Sequence, residues 1–317
     1  MPVSGRSLAV VALVVTMIVW GSTFVVTKSV LDEAGPFAVT VLRFGIGLLV
    51  LLPFAYRRGF RVRLALEPAF LLFGLTGVVL YFGLQNLALV FTSAANAALI
   101  SAGVPVAAAL LARVFLKERI PLPRLFGIGL SVIGVLLVSG TTPSGGAPRA
   151  ILGNALMVVA VVGYGAYGVQ GRAMRGAERY PAVVATTASF AAGLLFLLPL
   201  AAGEALLFGT PQLGPRGWLV VAYLGAVASA LAMFLWNYAL RHVAASAAAL
   251  YINLVPVVGL GFALLFGERV GAAQLVGGAL AVAGVLLGDA VPPKGRGQRR
   301  QTSEVGQDRT PKPSTRG

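Results

Sequence analysis

The chain has no cysteine and a single histidine, His242, among its 317 residues. Disulfides, thiolate metal sites and cysteine nucleophiles are therefore excluded, and one imidazole cannot build a histidine metal site. Charged residues make up only 11% of the sequence, far below the roughly 25% of a soluble globular domain. No Asp or Glu falls in the middle of a long apolar run; Asp289 stands at the very end of the last one. A Walker-type phosphate loop is also missing, so ATP is not used directly and no cofactor is expected.

What is present is 58% hydrophobic residues, gathered into runs of about 20, the length a helix needs to cross a hydrocarbon core about 30 Å thick. The runs do not alternate as barrel strands would, and a bilayer leaves unpaired backbone no water, so they predict membrane-spanning helices. Ten spans are expected. The first five are Leu8–Lys28, Pro36–Tyr56, Pro68–Val90, Ser93–Leu116 and Leu122–Ser139. The second five are Ala150–Arg172, Pro181–Ala201, Gly217–Leu240, Ala244–Phe266 and Gly271–Asp289. The first run is too long and lacks a small-x-small cleavage site, so it reads as a retained span and not as a signal peptide. Residues 290–317, rich in Pro, Gly, Gln, Ser and Arg, read as a disordered basic tail.

The net charge of +15 would suit nucleic acid, but basic loops also hold the cytoplasmic face of a membrane protein, so no nucleic-acid partner is expected. With the N-terminus inside, twenty of the 25 Lys and Arg residues fall on inner segments and tail, and only Lys28, Arg149, Arg216 and Arg269 fall outside. Both termini are thereby expected in the cytoplasm.

The sequence repeats itself. Residues 85–106 and 236–257 align without a gap at ten of twenty-two positions, including Asn86 on Asn237 and Pro105 on Pro256. "WGSTFVVTK" (20–28) resembles "YGAYGVQGR" (164–172), "LLVLLP" ending at Pro53 resembles "LLFLLP" ending at Pro199, and "FLKERI" (115–120) resembles "LFGERV" (265–270). Residues 8–140 and 150–289 thus read as two five-helix repeats. Because five is odd, the second copy must enter the bilayer upside down. Two inverted halves suit alternating access, in which each adopts the conformation the other has just left.

These residues carry a family resemblance. "WGSTF", "LRF" (42–44), the Asn-x-Ala-Leu and Pro pattern of spans three–four and eight–nine, and "KER"/"GER" before spans five and ten together resemble the EamA family of the drug/metabolite transporter superfamily. The resemblance covers about residues 8–289. It implies a bacterial inner-membrane carrier of ten helices. Spans one to four and six to nine would surround a central cavity, and spans five and ten would stand at the periphery. It also implies cargo such as amino acids, nucleosides, drugs and other metabolites, moved mostly outward.

Polar and aromatic residues at mid-span are the binding candidates, because a desolvated polar group must find a partner. They are Trp20, Ser22 and Thr23; Tyr81 and Gln85; Asn96 and Ser101; Tyr164 and Tyr167; Trp236; and Tyr251 and Asn253. Rings and amides together suit a small zwitterionic or neutral solute; interfacial anchoring and helix–helix contacts are the competing roles. Arg43 lies about 10 Å deep, at 1.5 Å per residue from Pro36. It would hold a substrate carboxylate, snorkel to the outer surface, or bond carbonyls of span one. The repeated Asn86 and Asn237 read as structural clamps, and Pro105 and Pro256 as hinge positions that free a carbonyl one turn earlier. Glu118 and Glu268 read as carboxylates meeting helix N-terminal amides. Gly127-x-x-x-Ser131 and Gly284-x-x-x-Gly288 allow close helix approach, within the monomer or across a homodimer.

The sequence therefore predicts a secondary transporter that moves small organic metabolites, amino acids first, outward. The missing mid-span carboxylate favours facilitated export or exchange over ion coupling. Efflux of drugs or nucleoside-like metabolites is the alternative, and a channel or lipid-handling protein is a more distant one. An intramembrane enzyme is disfavoured: there is no aspartate-rich motif, and His242 sits at the cytoplasmic end of a span, where it could not face a serine at depth.

Overall fold

The computed structural model describes residues 5–118, 120–141, 147–173, 180–243 and 245–289. The expected tail at 290–317 lies outside them, as do Arg119, Arg175 and Arg179. Every regular element among the described residues is helical. The order is α1 (Gly5–Lys28), α2 (Pro36–Tyr56), α3 (Pro68–Phe91), α4 (Ala94–Ser101), α5 (Val104–Phe115) and α6 (Leu122–Ser139). Then come α7 (Ala147–Ala173), α8 (Ala182–Phe208), α9 (Pro215–Ala239), α10 (Ala245–Ile252), α11 (Leu254–Leu265) and α12 (Ala272–Asp289). A short 3₁₀ turn, Val62–Leu66, precedes α3.

Local chemistry accounts for the ends. Pro36, Pro68 and Pro215 open α2, α3 and α9, where the missing N–H costs nothing. Ser93 caps α4 by accepting the Asn96 amide at 3.0 Å. Gly209 stops α8 with a φ of 94°, a conformation a side chain would resist. The breaks between α4 and α5 and between α10 and α11 come from proline. Pro105 and Pro256 have no N–H for the carbonyls of Ser101 and Ile252, and α4 and α10 end at those residues. α4 and α5 meet at a 40° bend.

Among the described residues, six helices are long and apolar enough to cross a bilayer, or seven if α4 and α5 count as one bent span. The segments Arg124–Ser139, Leu250–Leu265 and Ala272–Gly288 are apolar but shorter. The outward surface is greasy: Leu49, Leu122, Phe126, Leu206, Phe208 and Leu219 are each at least two-thirds exposed, the inverse of a water-soluble surface.

Glycines set the helix crossings, and they do so in matched pairs. A Cβ on Gly134 would collide with the Gly277 carbonyl oxygen, and one on Gly127 would collide with that of Gly284. α6 and α12 therefore run antiparallel at backbone contact, and their small-residue face is spent within the chain. A Cβ on Gly74 of α3 would lie 2.5 Å from the Gly193 amide nitrogen of α8, and one on Gly47 of α2 would lie 3.3 Å from the Gly225 carbonyl oxygen of α9. A Cβ on Gly21 of α1 would lie 2.6 Å from the Val258 side chain of α11, and one on Gly165 of α7 would lie 2.8 Å from the Ala108 amide nitrogen of α5. Only hydrogen in place of a side chain lets these rods approach so closely.

Both α3 and α9 contain a widened, π-helical stretch, Gly74–Gly83 and Tyr223–Leu231. Such wide turns release carbonyls from the ordinary ladder and rotate the remainder of the helix about its axis. Both stretches border a cavity at the centre of the bundle.

Candidate functional site

The central cavity has a volume of about 130 Å³. At roughly 30 Å³ of liquid volume per water, that is room for on the order of four waters. Its walls come from α1, α2, α3, the α4–α5 break, α7, α8, α9 and the α10–α11 break; no lining residue comes from α6 or α12. Of the sequence candidates, the structure brings Trp20, Thr23, Arg43, Tyr81, Gln85, Ser101, Tyr164, Tyr167 and Asn253 together around it, with Pro105 and Pro256 at the two breaks.

Arg43 is the one charged group among the described lining residues and is only 2% exposed. It neither snorkels outward nor bonds carbonyls of α1. Its Nε donates to Ser229 Oγ on α9 at 2.9 Å, and Ser229 Oγ in turn donates to the Leu224 carbonyl at 2.9 Å. That i to i−5 bond uses the widened turn of α9. The guanidinium carbon stands 4.4 Å from the centre of the Phe82 ring, within cation–π range. Its Nη1 has no hydrogen-bond partner among the described residues.

Two other buried polar atoms of the cavity residues are also unpartnered: Gln85 Oε1 and Asn253 Nδ2. Buried polar groups are nearly always paired, so three orphans around one cavity mark a place built for a polar guest. The hydroxyls are less available. Thr23 and Ser101 each donate back to their own helix, to the Trp20 and Ala98 carbonyls, both at 2.6 Å. The Trp20 indole N–H donates to the Ala228 carbonyl in the wide turn of α9 at 3.1 Å.

Much of the rest of the wall is aromatic. Tyr81 and Tyr164 lie 4.3 Å apart between ring centres, and Tyr164 stacks on Tyr167 at 5.5 Å and 10°. Phe44 packs edge-on against Phe82 and Phe190 at 5.0 and 4.7 Å. Gly77 makes room for this wall: a Cβ there would lie 2.6 Å from the Tyr167 ring.

Other candidates lie elsewhere. Ser22 bonds the Val19 carbonyl and stands 2.7 Å from the Tyr223 hydroxyl. Trp236 packs behind Trp20 at 5.7 Å, and Tyr251 joins it in a separate cluster around Leu13. Asn86 donates to Thr40 Oγ1 at 2.9 Å, tying α3 to α2, while Asn237 is half-buried on α9 and outside the lining. Asn96 is withdrawn into a buried network: its Nδ2 donates to Asn154 Oδ1 at 3.2 Å, and its Oδ1 accepts from Gln274 at 2.5 Å. Thr92 donates to the same Asn154 oxygen at 2.5 Å.

The carboxylates cap helices, but not the ones they precede. Glu268 accepts the Ala94 and Ala95 amides of α4 at 2.9 and 2.8 Å, and Lys28 stands 3.8 Å from it while also donating to the Thr92 carbonyl. Glu204 accepts the Phe37 and Ala38 amides at the start of α2, and Glu33 accepts the Gly214 amide. Glu118 is exposed at the far end of α5.

Sequence reasoning missed Ser229, Phe82, Phe190 and Thr186 in the lining, and Asn154 and Gln274 in the network. Asn154 and Gln274 had a usable signal, an amide inside an apolar run. Lone serines and phenylalanines in greasy helices carry none.

Comparison with known proteins accords with this architecture. The sequence model of the EamA-like transporter family matches residues 7–140 and again 151–288. A probable terminal-alkyne amino-acid exporter of Streptantibioticus cattleyicolor is 33% identical, covering 95% of this chain and 98% of its own length. An uncharacterized transporter of Archaeoglobus fulgidus is 31% identical over 87% of this chain and 95% of its own. The uncharacterized transporter YetK of Bacillus subtilis is 28% identical over 78% of this chain and 76% of its own. A protein of known crystal structure superimposes with a TM-score of 0.58 at 25% identity, covering 89% of this chain and 96% of its own. The chain belongs to the EamA-like transporter family: it is a multi-pass membrane transporter and not an enzyme.

Proposed function

We propose that this EamA-like transporter is an alternating-access carrier that moves small organic metabolites, amino acids first, outward through the central cavity. The observation that carries the reading is the cluster of unpartnered Arg43 Nη1, Gln85 Oε1 and Asn253 Nδ2 within an aromatic wall. A cavity this small suits a small metabolite better than a drug-sized solute, whose pockets run to about 300–1,000 Å³. The name of the Streptantibioticus relative points the same way.

The transport cycle rests on ten spans in two inverted repeats, residues 8–140 and 150–289, with both termini in the cytoplasm of a bacterial inner membrane. The matched crossings support this. By the repeat alignment Gly127 corresponds to Gly277 and Gly134 to Gly284, and each glycine contacts the counterpart of the other. The crossings Gly47–Gly225 and Gly74–Gly193 are exchanged by the same operation. Such reciprocity is what a two-fold axis in the membrane plane produces. The loops at 28–37, 91–96, 204–214 and 266–271 then share the outer end. There Glu33, Glu204 and Glu268 each join one half to backbone amides of the other, and this end is read as the closed outer gate. A second copy of the chain would have to dock on outward faces of α6 or α12, since their glycine stripe is already occupied.

The test is counterflow of labelled solute in proteoliposomes. A carrier saturates and is accelerated by solute on the far side. Linear, unaccelerated flux would point to a channel and sink the proposal.

A further inference from the structure

Taking the carrier reading as its base, we infer that the cavity accepts solutes bearing at least one carboxylate and no net positive charge, and that Arg43 enforces this rule. Arg43 is buried to within 2% of its surface, and among the described residues no acidic side chain lines the cavity with it. Its Nε is committed to Ser229 and one face is covered by Phe82. Nη1 is left as an N–H donor with no acceptor in reach. A fixed cation without a counter-ion, in surroundings of low dielectric, is stabilised by whatever anion the solute supplies. A carboxylate does this with a charge-assisted hydrogen bond as well as by Coulomb attraction.

The two other orphans refine the class. Asn253 Nδ2 is a second donor, suited to the remaining carboxylate lone pairs. Gln85 Oε1 is an acceptor and calls for an N–H or O–H on the same solute. Gln85 and Asn253 are 1% and 9% exposed, so bulk water does not compensate them in place of a guest. A solute with a net positive charge meets Arg43 as a like charge with almost no screening. Amines, polyamines, cationic drugs and basic amino acids are therefore rejected, while neutral zwitterionic and acidic amino acids and simple carboxylic acids are accepted. This separates the amino-acid reading from general efflux of cationic drugs on the charge of one side chain.

A purely structural Arg43, present only to tie α2 to α9 through Ser229, would affect folding and leave selectivity alone. The measurement is therefore a ratio. Proteoliposomes holding the full chain are preloaded with a mixture of unlabelled amino acids, and entry of the labelled mixture is resolved by species. Competition by 3-methylbutylamine, leucine methyl ester and 4-methylpentanoate is measured alongside. Neutral and acidic amino acids should accumulate at least tenfold over lysine and arginine. 4-Methylpentanoate should compete, and the amine and the ester should not. In Arg43→Gln the amine should compete within about threefold of leucine, whereas Arg43→Lys should keep the wild-type ratio. Lysine accumulating as well as leucine, or an Arg43→Gln protein with wild-type discrimination, would overturn the inference and leave the carrier reading standing. Absence of accelerated flux for every solute would instead sink the carrier reading. Should Arg43→Gln fail to fold, the wild-type panel and Arg43→Lys still decide the charge rule.

Discussion

Arg43 Nε on α2 donates to Ser229 Oγ on α9 at 2.9 Å, and this one bond fixes the direction in which the buried guanidinium points. Ser229 can serve because the wide turn of α9 lets its hydroxyl reach back five residues to Leu224 while it still accepts from Arg43. Replacing Ser229 by Ala should strand Nε and cost about 1–3 kcal/mol. The expected outcome is a lower unfolding temperature in detergent together with a raised half-saturation constant for the transported solute. An unchanged half-saturation constant would mean that the guanidinium does not depend on this bond.

The aromatic wall leaves no room beside Gly77. Gly77→Ala puts a methyl 2.6 Å from the Tyr167 ring, an overpacking of the kind that costs about 1–3 kcal/mol. Transport should fall about tenfold, since 1.4 kcal/mol is a factor of ten. Gly83→Ala, on the same helix but with its nearest new contact at 3.5 Å, should be tolerated. Equal effects from the two would remove the Tyr167 contact as the cause.

The α6–α12 seam is tested by stability alone. Gly134→Val and Gly284→Val each drive a side chain into backbone on the other helix, whereas Gly129 faces open space. The two seam variants should lose expression and thermal stability. Gly129→Val should not.

At the proposed outer gate, Glu268→Gln keeps one carbonyl oxygen but loses the charge that serves both the Ala94 and Ala95 amides and Lys28. Hydrogen bonds to charged groups are worth about 1.5–3 kcal/mol, so loss of roughly half that shifts the gate by about tenfold towards open. A single cysteine at Ser101 should then be labelled about ten times faster from the outer side. The natural chain has no cysteine, so the background is nil. Slower or unchanged labelling would place the gate elsewhere.

The sequence carried the large features because they rest on composition and period. Apolar runs announce helices, Pro36, Pro68 and Pro215 announce their starts, and Pro105 and Pro256 announce the breaks. The polar candidates divided for a reason that sequence does not encode. Asn96 and Gln85 are both buried amides in apolar segments, yet Asn96 finds Asn154 and Gln274 while Gln85 Oε1 finds nothing. Which one is paired depends on neighbours more than fifty residues away. The widened turns of α3 and α9 were likewise illegible, since extra backbone per turn leaves no residue signature. Glu268 was legible as a cap but not in its target, because the amides it serves belong to another helix.

Alternating access requires that one cavity at Arg43 open in turn to the two sides of the membrane, and a cysteine placed inside it reports that opening. Thr23→Cys, in the cavity lining, should react with a membrane-impermeant thiol reagent in both right-side-out and inside-out vesicles, and transported solute should protect it in both. Labelling from one side only, whatever solute is supplied, or labelling from both sides that no solute slows, would be incompatible with a single cavity serving both faces.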